Sequence, residues 1–282
     1  MVVGVSSGAS PKPKPTPVTV LVHVYRLLKV MSHKERLEMA TWLTDKPQVF
    51  DGWFKRSVER FERDYENVAE PFHPPRDPAR IARYKKAAIG TTPELVARLA
   101  ERPAPDGFWQ VVGDPGLDFA FVDYEVPPAR KTGRARFEDG LPSTSGMKMD
   151  LLLKSRDRIP VVGEAKVSTD TGDDKDPFFA LVQALALAAQ VVTPKQLARL
   201  ALHYPKERFR QEGVVDVVVV LFKPSLTANS TFQDALYRQS VKLVDVLIQQ
   251  CQLKKRVRRL AFIEAARSTE GQLVLKKSPL HH

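Results

Sequence analysis

At 282 residues, with 44 Lys and Arg against 33 Asp and Glu, the chain carries a formal net charge of +11. That surplus favours a polyanionic partner, because each phosphate neutralised releases counterions, although composition does not separate nucleic acid from anionic lipid. A single cysteine, Cys251, excludes an intramolecular disulfide and a cysteine-based zinc site, and the six His are scattered without metal-ligand spacing. No stretch reaches the length of a membrane span, since the best candidate, Val18 to Met31, contains His23, Arg26 and Lys29. The first residues lack the regions of a signal peptide, so a reducing, cytoplasmic setting is expected.

Residues 1–17 have the composition of a disordered tail, in which Pro11, Pro13, Pro15 and Pro17 alternate with Lys12 and Lys14. Residues 18–102 carry helical signals. Ser32 and Glu35 have capping-box spacing, and Asp77-Pro78 and Thr92-Pro93 each read as an N-cap followed by a first-turn proline. Arg80, Arg83, Lys85 and Lys86 make this region basic. From residue 103 the character turns strand-like and continues to residue 282 as a second region. Phe119 to Val126 alternates as a strand, and Pro127 to Ser145 is rich in Pro, Gly, Ser, Arg and Lys, as in a long loop.

Met149 to Leu153 and Ile159 to Val167 are short apolar runs around Ser155-Arg156-Asp157-Arg158, the pattern of a hairpin. Pro177 to Val192 and Pro194 to His203 read as helices, the first strongly apolar. VVDVVVVLF, Val214 to Phe222, is apolar enough for a strand buried on both faces. A long helix follows from Phe232 to Lys254, then two candidate edge strands, Arg258 to Ala265 and Leu273 to Lys276. The order implies an α/β fold, a mixed central sheet flanked by helices, with a helical N-terminal region.

The hairpin also carries the chemistry. Asp150 opens its first strand, and Glu164-Ala165-Lys166 closes its second. Strand side chains alternate, so Glu164 and Lys166 share a face. Asp150 joins them only if the turn sets the register correctly. A two-residue turn at Asp157-Arg158 would place Asp150 opposite Ala165, on the wrong face, so the reading requires an odd-length turn or a bulge. Two carboxylates and a lysine on rigid strands suit metal-assisted phosphodiester hydrolysis. A nearby ammonium can orient the attacking water and offset developing charge.

Asp150 followed by Glu164-Ala165-Lys166 at the end of an apolar strand resembles the motif of the PD-(D/E)XK nuclease superfamily, over residues 105 to 265 at the level of pattern. The resemblance implies a restriction-endonuclease-like core and a DNA substrate in preference to RNA. It further implies Mg2+, with Mn2+ as a substitute, held by Asp150, Glu164 and the carbonyl of Ala165, with Lys166 serving the water. Gln183, in FFALVQALALAAQ, lies where several branches carry a catalytic glutamine. Met149 stands in place of the motif's proline. An upstream acid, where the family has one, falls to Glu59, Glu66 or Glu94. Double-strand cutting with one site per chain favours a homodimer.

Two rival readings remain: a binding module on the same fold that no longer turns over substrate, and a basic adaptor protein. Among other features, Asp170, Asp173, Asp174 and Asp176 read as an acidic cluster at a helix N-terminus rather than a calcium loop. Lys254, Lys255, Arg256, Arg258 and Arg259 form a basic run suited either to phosphates or to a solvated helix end. Trp42, Trp53, Trp109 and Cys251 read as packed side chains.

Overall fold

In the computed structural model the described residues are 20–64, 84, 87–88, 90–101, 106–128, 147–167, 176–223 and 235–278. The N-terminal tail, the Asp77-Pro78 start with its basic neighbours, Glu66, and Asp170, Asp173 and Asp174 lie outside them. Among the described residues the sheet has seven strands: β1 (Val111–Val112), β2 (Phe119–Val126), β3 (Met149–Ser155), β4 (Pro160–Val167), β5 (Val215–Lys223), β6 (Val257–Arg267) and β7 (Leu273–Lys277). Their spatial order is β1-β7-β6-β5-β4-β3-β2. Strands β2, β3 and β4 form an antiparallel meander, and β4, β5 and β6 are parallel. Strand β6 is therefore interior rather than an edge, and β7 is covered by β1.

Helices α1 (Leu21–Leu28), α2 (His33–Asp45) and α3 (Pro47–Asp64) precede α4 (Thr92–Ala100). Helices α5 (Pro177–Val191) and α6 (Pro194–His203) connect β4 to β5, and α7 (Ala235–Gln250) connects β5 to β6. Parallel crossovers are right-handed, and both steps move the same way across the sheet, so α5 and α7 must cover the same face. They do. One core unites them with α1 to α3 and with Val162, Val217, Val219 and Leu221 of the sheet. The other face packs Val161, Ala165, Val218, Val220 and Phe222 against Leu95, Val96 and Leu99 of α4. The uninterrupted apolar run of β5 thus reflects burial on both faces.

The N-terminal helices α1 to α3 share one core with α5 and α7. They form an outer layer on α5 and α7, and every residue of α5 is buried. This burial accounts for the apolar composition of α5; among the described residues no single helix is long and apolar enough to cross a membrane. The layers are joined by one buried ion pair. Arg36 on α2 donates Nε to Leu28 O at 2.9 Å and reaches Asp176 Oδ2 at 2.9 Å. Asp176 caps α5 by accepting from Phe179 N at 2.8 Å, the helix-start role expected of the acidic cluster.

Other local signals hold in detail. The Ser32–Glu35 capping box is present, and α4 is capped by Thr91, one residue before the expected Thr92. Trp53 and Cys251 are buried, whereas Trp42 is 40% exposed and Trp109 is half-buried, its Nε1 donating to Leu99 O at 2.9 Å. Trp42 projects from an outer-layer helix with no further layer over it, so packing does not require its burial.

Removing one partner of a buried pair leaves an uncompensated charge. Arg36→Ala should therefore destabilise the fold by about 3–5 kcal/mol, read by urea denaturation. A loss below about 1 kcal/mol would show that the pair is well solvated once broken.

Candidate active site

The turn between β3 and β4 decides the site. Arg158 N donates to Ser155 O at 2.9 Å, Ser155 N donates to Ile159 O at 3.0 Å, and Arg158 has φ 64°. This is a three-residue turn, Arg156-Asp157-Arg158, closing on a left-handed residue, one of the common hairpin geometries. It meets the odd-length condition. The ladder pairs Lys154 with Pro160, Leu153 with Val161, Leu152 with Val162 and Leu151 with Gly163. Continued by one pair, it sets Asp150 opposite Glu164.

Hydrogen-bonded and non-hydrogen-bonded pairs alternate along an antiparallel ladder. The Ser155–Ile159 bond fixes the phase, so Leu151 and Gly163 form a hydrogen-bonded pair and Asp150 and Glu164 a non-hydrogen-bonded one. Side chains approach most closely in the latter, with Cα atoms about 4.5 Å apart. Gly163 permits this approach, since a Cβ there would lie 2.8 Å from Leu151 Cβ. Beyond the last ladder pair, Ala165 N donates to Asp150 Oδ2 at 2.9 Å instead of to backbone. The same alternation turns the Ala165 carbonyl toward the β3 side, beside Asp150.

Lys166 lies on the Glu164 face, its Nζ 3.2 Å from Glu164 Oε1 and 5.7 Å from the centroid of the Phe179 ring on α5. Gln183 is one turn further along α5, about 6 Å. Gln183, four residues after Phe179, lies on the same side of α5 and is buried. Asp150, Glu164 and Lys166 come together, and Gln183 is a buried residue of the helix that covers β4.

Glu164 is 1% exposed and Lys166 7%. Glu164 Oε2 is buried and accepts no hydrogen bond. Burial, then the charge of Asp150, push the Glu164 carboxyl well above its ordinary range, against the opposing pull of Lys166. Asp150 keeps a partly exposed edge, yet loss of solvation raises it too, offset by Lys166 and the Ala165 N–H. Two carboxyls that resist ionisation side by side, each a hydrogen-bond neighbour of the other, hold a proton between them unless a cation takes its place.

Of the candidate upstream acids, the two among the described residues, Glu94 and Glu59, do not join them. Helix α4 packs on the opposite face of the sheet. Glu94 there accepts from Gly90 N at 2.6 Å and lies 3.9 Å from Arg98 and 3.5 Å from Arg267. Glu59 faces Lys55 on the outer helix α3. Among the described residues no three His, Cys, Asp or Glu side chains converge to ligating distance, so two carboxylates and the Ala165 carbonyl are the donors at hand. Two polar residues of β2 escaped the sequence reading, Asp123 and Glu125. Their spacing of two inside the expected strand was the available signal. Asp123 is buried and accepts from Tyr124 N and from Tyr204 Oη at 2.7 Å.

The basic run spans the exposed end of a short 3-10 helix, Gln252–Lys255, and the entry to β6. Arg258 bridges Asp216, at 2.6 Å, and Asp157 of the hairpin turn, and Arg256 reaches Gly213 O. Arg259 pairs across to Asp216, and Asp216 to Val161, which places the run three to five residues, about 10–17 Å, from the Glu164 and Lys166 level. Two surface hollows, of about 540 and 290 Å³, lie along α3 against the start of α6 and against Gln252 to Arg256. Neither is lined by the carboxylate pair. Comparison of the chain with protein-family models, curated proteins and solved structures finds no match.

A carboxyl whose folded pKa is raised adds stability while protonated and loses it as pH climbs through the folded pKa. Glu164→Gln should accordingly melt a few degrees above wild type at pH 8, with the gap closing toward pH 4. The glutamine amide can still accept from Lys166 and can donate to Asp150. Thermal melts across that range check this, and a variant less stable than wild type at pH 8 would contradict the upward shift.

Proposed function

We propose that this protein is a metal-dependent nuclease that hydrolyses DNA phosphodiester bonds on a restriction-endonuclease-like core. The observation that carries the reading is the close Asp150–Glu164 pair, with Lys166 against it and one buried carboxylate oxygen lacking a donor. Such a pair fits a divalent ion with oxygen ligands, Mg2+ or Mn2+, held by Asp150, Glu164 and the carbonyl of Ala165. The bound ion would polarise the scissile phosphate and lower the pKa of a water.

The chain's own groups supply the rest. Asp150 is held through one oxygen by the Ala165 N–H, and its carboxyl is also a side-chain neighbour of Glu164. Lys166 carries its charge on a buried strand beneath Phe179, where an ammonium offsets developing negative charge more strongly than in water. Gln183, on the helix that covers β4, would supply an amide to orient a water or a phosphate oxygen. The sequence between β2 and β3 adds Arg130, Lys131, Arg134 and Arg136 to the basic surplus that suits a polyanion. A basic binding module on the same fold has no chemical need for the buried Glu164–Lys166 contact, and DNA is the substrate class we assign ahead of RNA. Cutting both strands of a duplex would use two copies of the chain.

The reading is checked with purified protein on single- and double-stranded DNA in magnesium, manganese, calcium or chelator. Lys166→Ala should lower cleavage about 10²–10³-fold while leaving the fold and most DNA binding intact. Asp150→Ala should abolish cleavage, and Gln183→Ala should cause a smaller loss. Calcium should support binding with little turnover, since it coordinates more loosely. Nicking at wild-type rate in both Lys166→Ala and Asp150→Ala would sink the assignment, and binding without cleavage in either active metal would favour the binding module.

A further inference from the structure

Strand β2 brings another acid to the same level of the sheet. The register pairs Tyr124 with Leu151 and Val126 with Met149, so Glu125 stands opposite Asp150 on one side as Glu164 does on the other. Three adjacent strands thus present Glu125, Asp150 and Glu164 in a row. Glu125 has φ 49°, a left-handed conformation that glycine or asparagine adopts at far lower cost. Backbone of this kind persists where its surroundings over-determine it, and such positions gather at functional sites. Glu125 is close enough to Asp150 for the two side chains to interact electrostatically. Independently, the buried Glu164 Oε2 without a donor points to a cation at this level.

We infer that Glu125 is a positioning acid of the site, binding a divalent cation through one of the cation's waters rather than directly. The indirect mode follows from two facts. Among the described residues no three acidic side chains converge to ligating distance, and magnesium keeps several of its waters when protein-bound. An acid one water away adds attraction for the cation and fixes that water's orientation. This assignment rests on the metal-dependent reading above, and it gives β2 the role for which Glu94 on α4 is disposed on the wrong face.

The test is manganese binding to the full chain without DNA, by titration calorimetry and by electron paramagnetic resonance of free Mn2+. Glu125→Gln should weaken affinity about 10-fold, the size of effect typical when a group holding a metal's coordination shell is lost. Glu125→Asp should keep most of the affinity, because the charge is retained and aspartate tolerates the left-handed backbone. Glu125→Gly should melt higher than wild type yet bind manganese as weakly as Glu125→Gln, which separates loss of the acid from loss of the fold. Asp150→Asn should abolish binding. Wild-type affinity in Glu125→Gln, or equal weakening in Glu125→Asp and Glu125→Gln, would overturn the role of Glu125 while leaving the nuclease reading standing. A wild type that binds no manganese would overturn both.

Discussion

The register of the β3–β4 hairpin is the constraint on which the site depends. Strand side chains alternate with a period of two, so a slip of one residue would exchange every inward group for an outward one. The three-residue turn at Arg156-Asp157-Arg158, with Arg158 left-handed, fixes that register. It puts Asp150 and Glu164 in the close, non-hydrogen-bonded kind of pair and leaves the Ala165 N–H to a carboxylate rather than to the ladder. Gly163 then lets the strands approach, where a Cβ would collide with Leu151. Turn, register and glycine act on one distance, the gap between two carboxyls.

Burial turns that gap into a chemical property. Helix α5 covers β4 and is itself covered by α1 and α3, so Glu164 and Lys166 are held in a poorly solvated layer rather than at a surface. Charge is costly there unless it is paired. Lys166 meets one carboxyl oxygen of Glu164, and burial beside Asp150 pushes Glu164 toward holding its proton. The outer helices share in this arrangement through Arg36, which grips both the end of α1 and the cap of α5. The N-terminal region is therefore part of the scaffold that seats Phe179 and Gln183.

The opposite end of the sheet uses the same charges for a different purpose. Arg258 sits between Asp216, 1% exposed, and Asp157 of the hairpin turn, tying β6 to the turn that sets the register. A run of five basic residues thus resolves into structural and exposed members. Arg256 and Arg258 are engaged by the fold, whereas Lys254 and Lys255 remain exposed. Net charge alone could not have made this distinction, because it counts cations without regard to their partners.

Much of the architecture was legible because local rules and tertiary packing agree. The capping box at Ser32, the cap at Asp176, the doubly buried β5 and the hairpin around Arg156 to Arg158 all follow from periodicity and turn chemistry, and so does the face shared by Glu164 and Lys166. What the chain's order left open was pairing. Asp150 could meet Glu164 or face away from it, and only the turn's length, a choice between conformations of similar local cost, decided this. Likewise the family resemblance points to an upstream acid on a helix, whereas sheet pairing brings Glu125, 25 residues before Asp150 in sequence, to the level of Asp150 on the neighbouring strand. Alternation along one strand is a property of the backbone and can be read from a single chain. Adjacency between strands depends on which apolar faces bury each other, and that is settled only when the whole sheet closes against its helices.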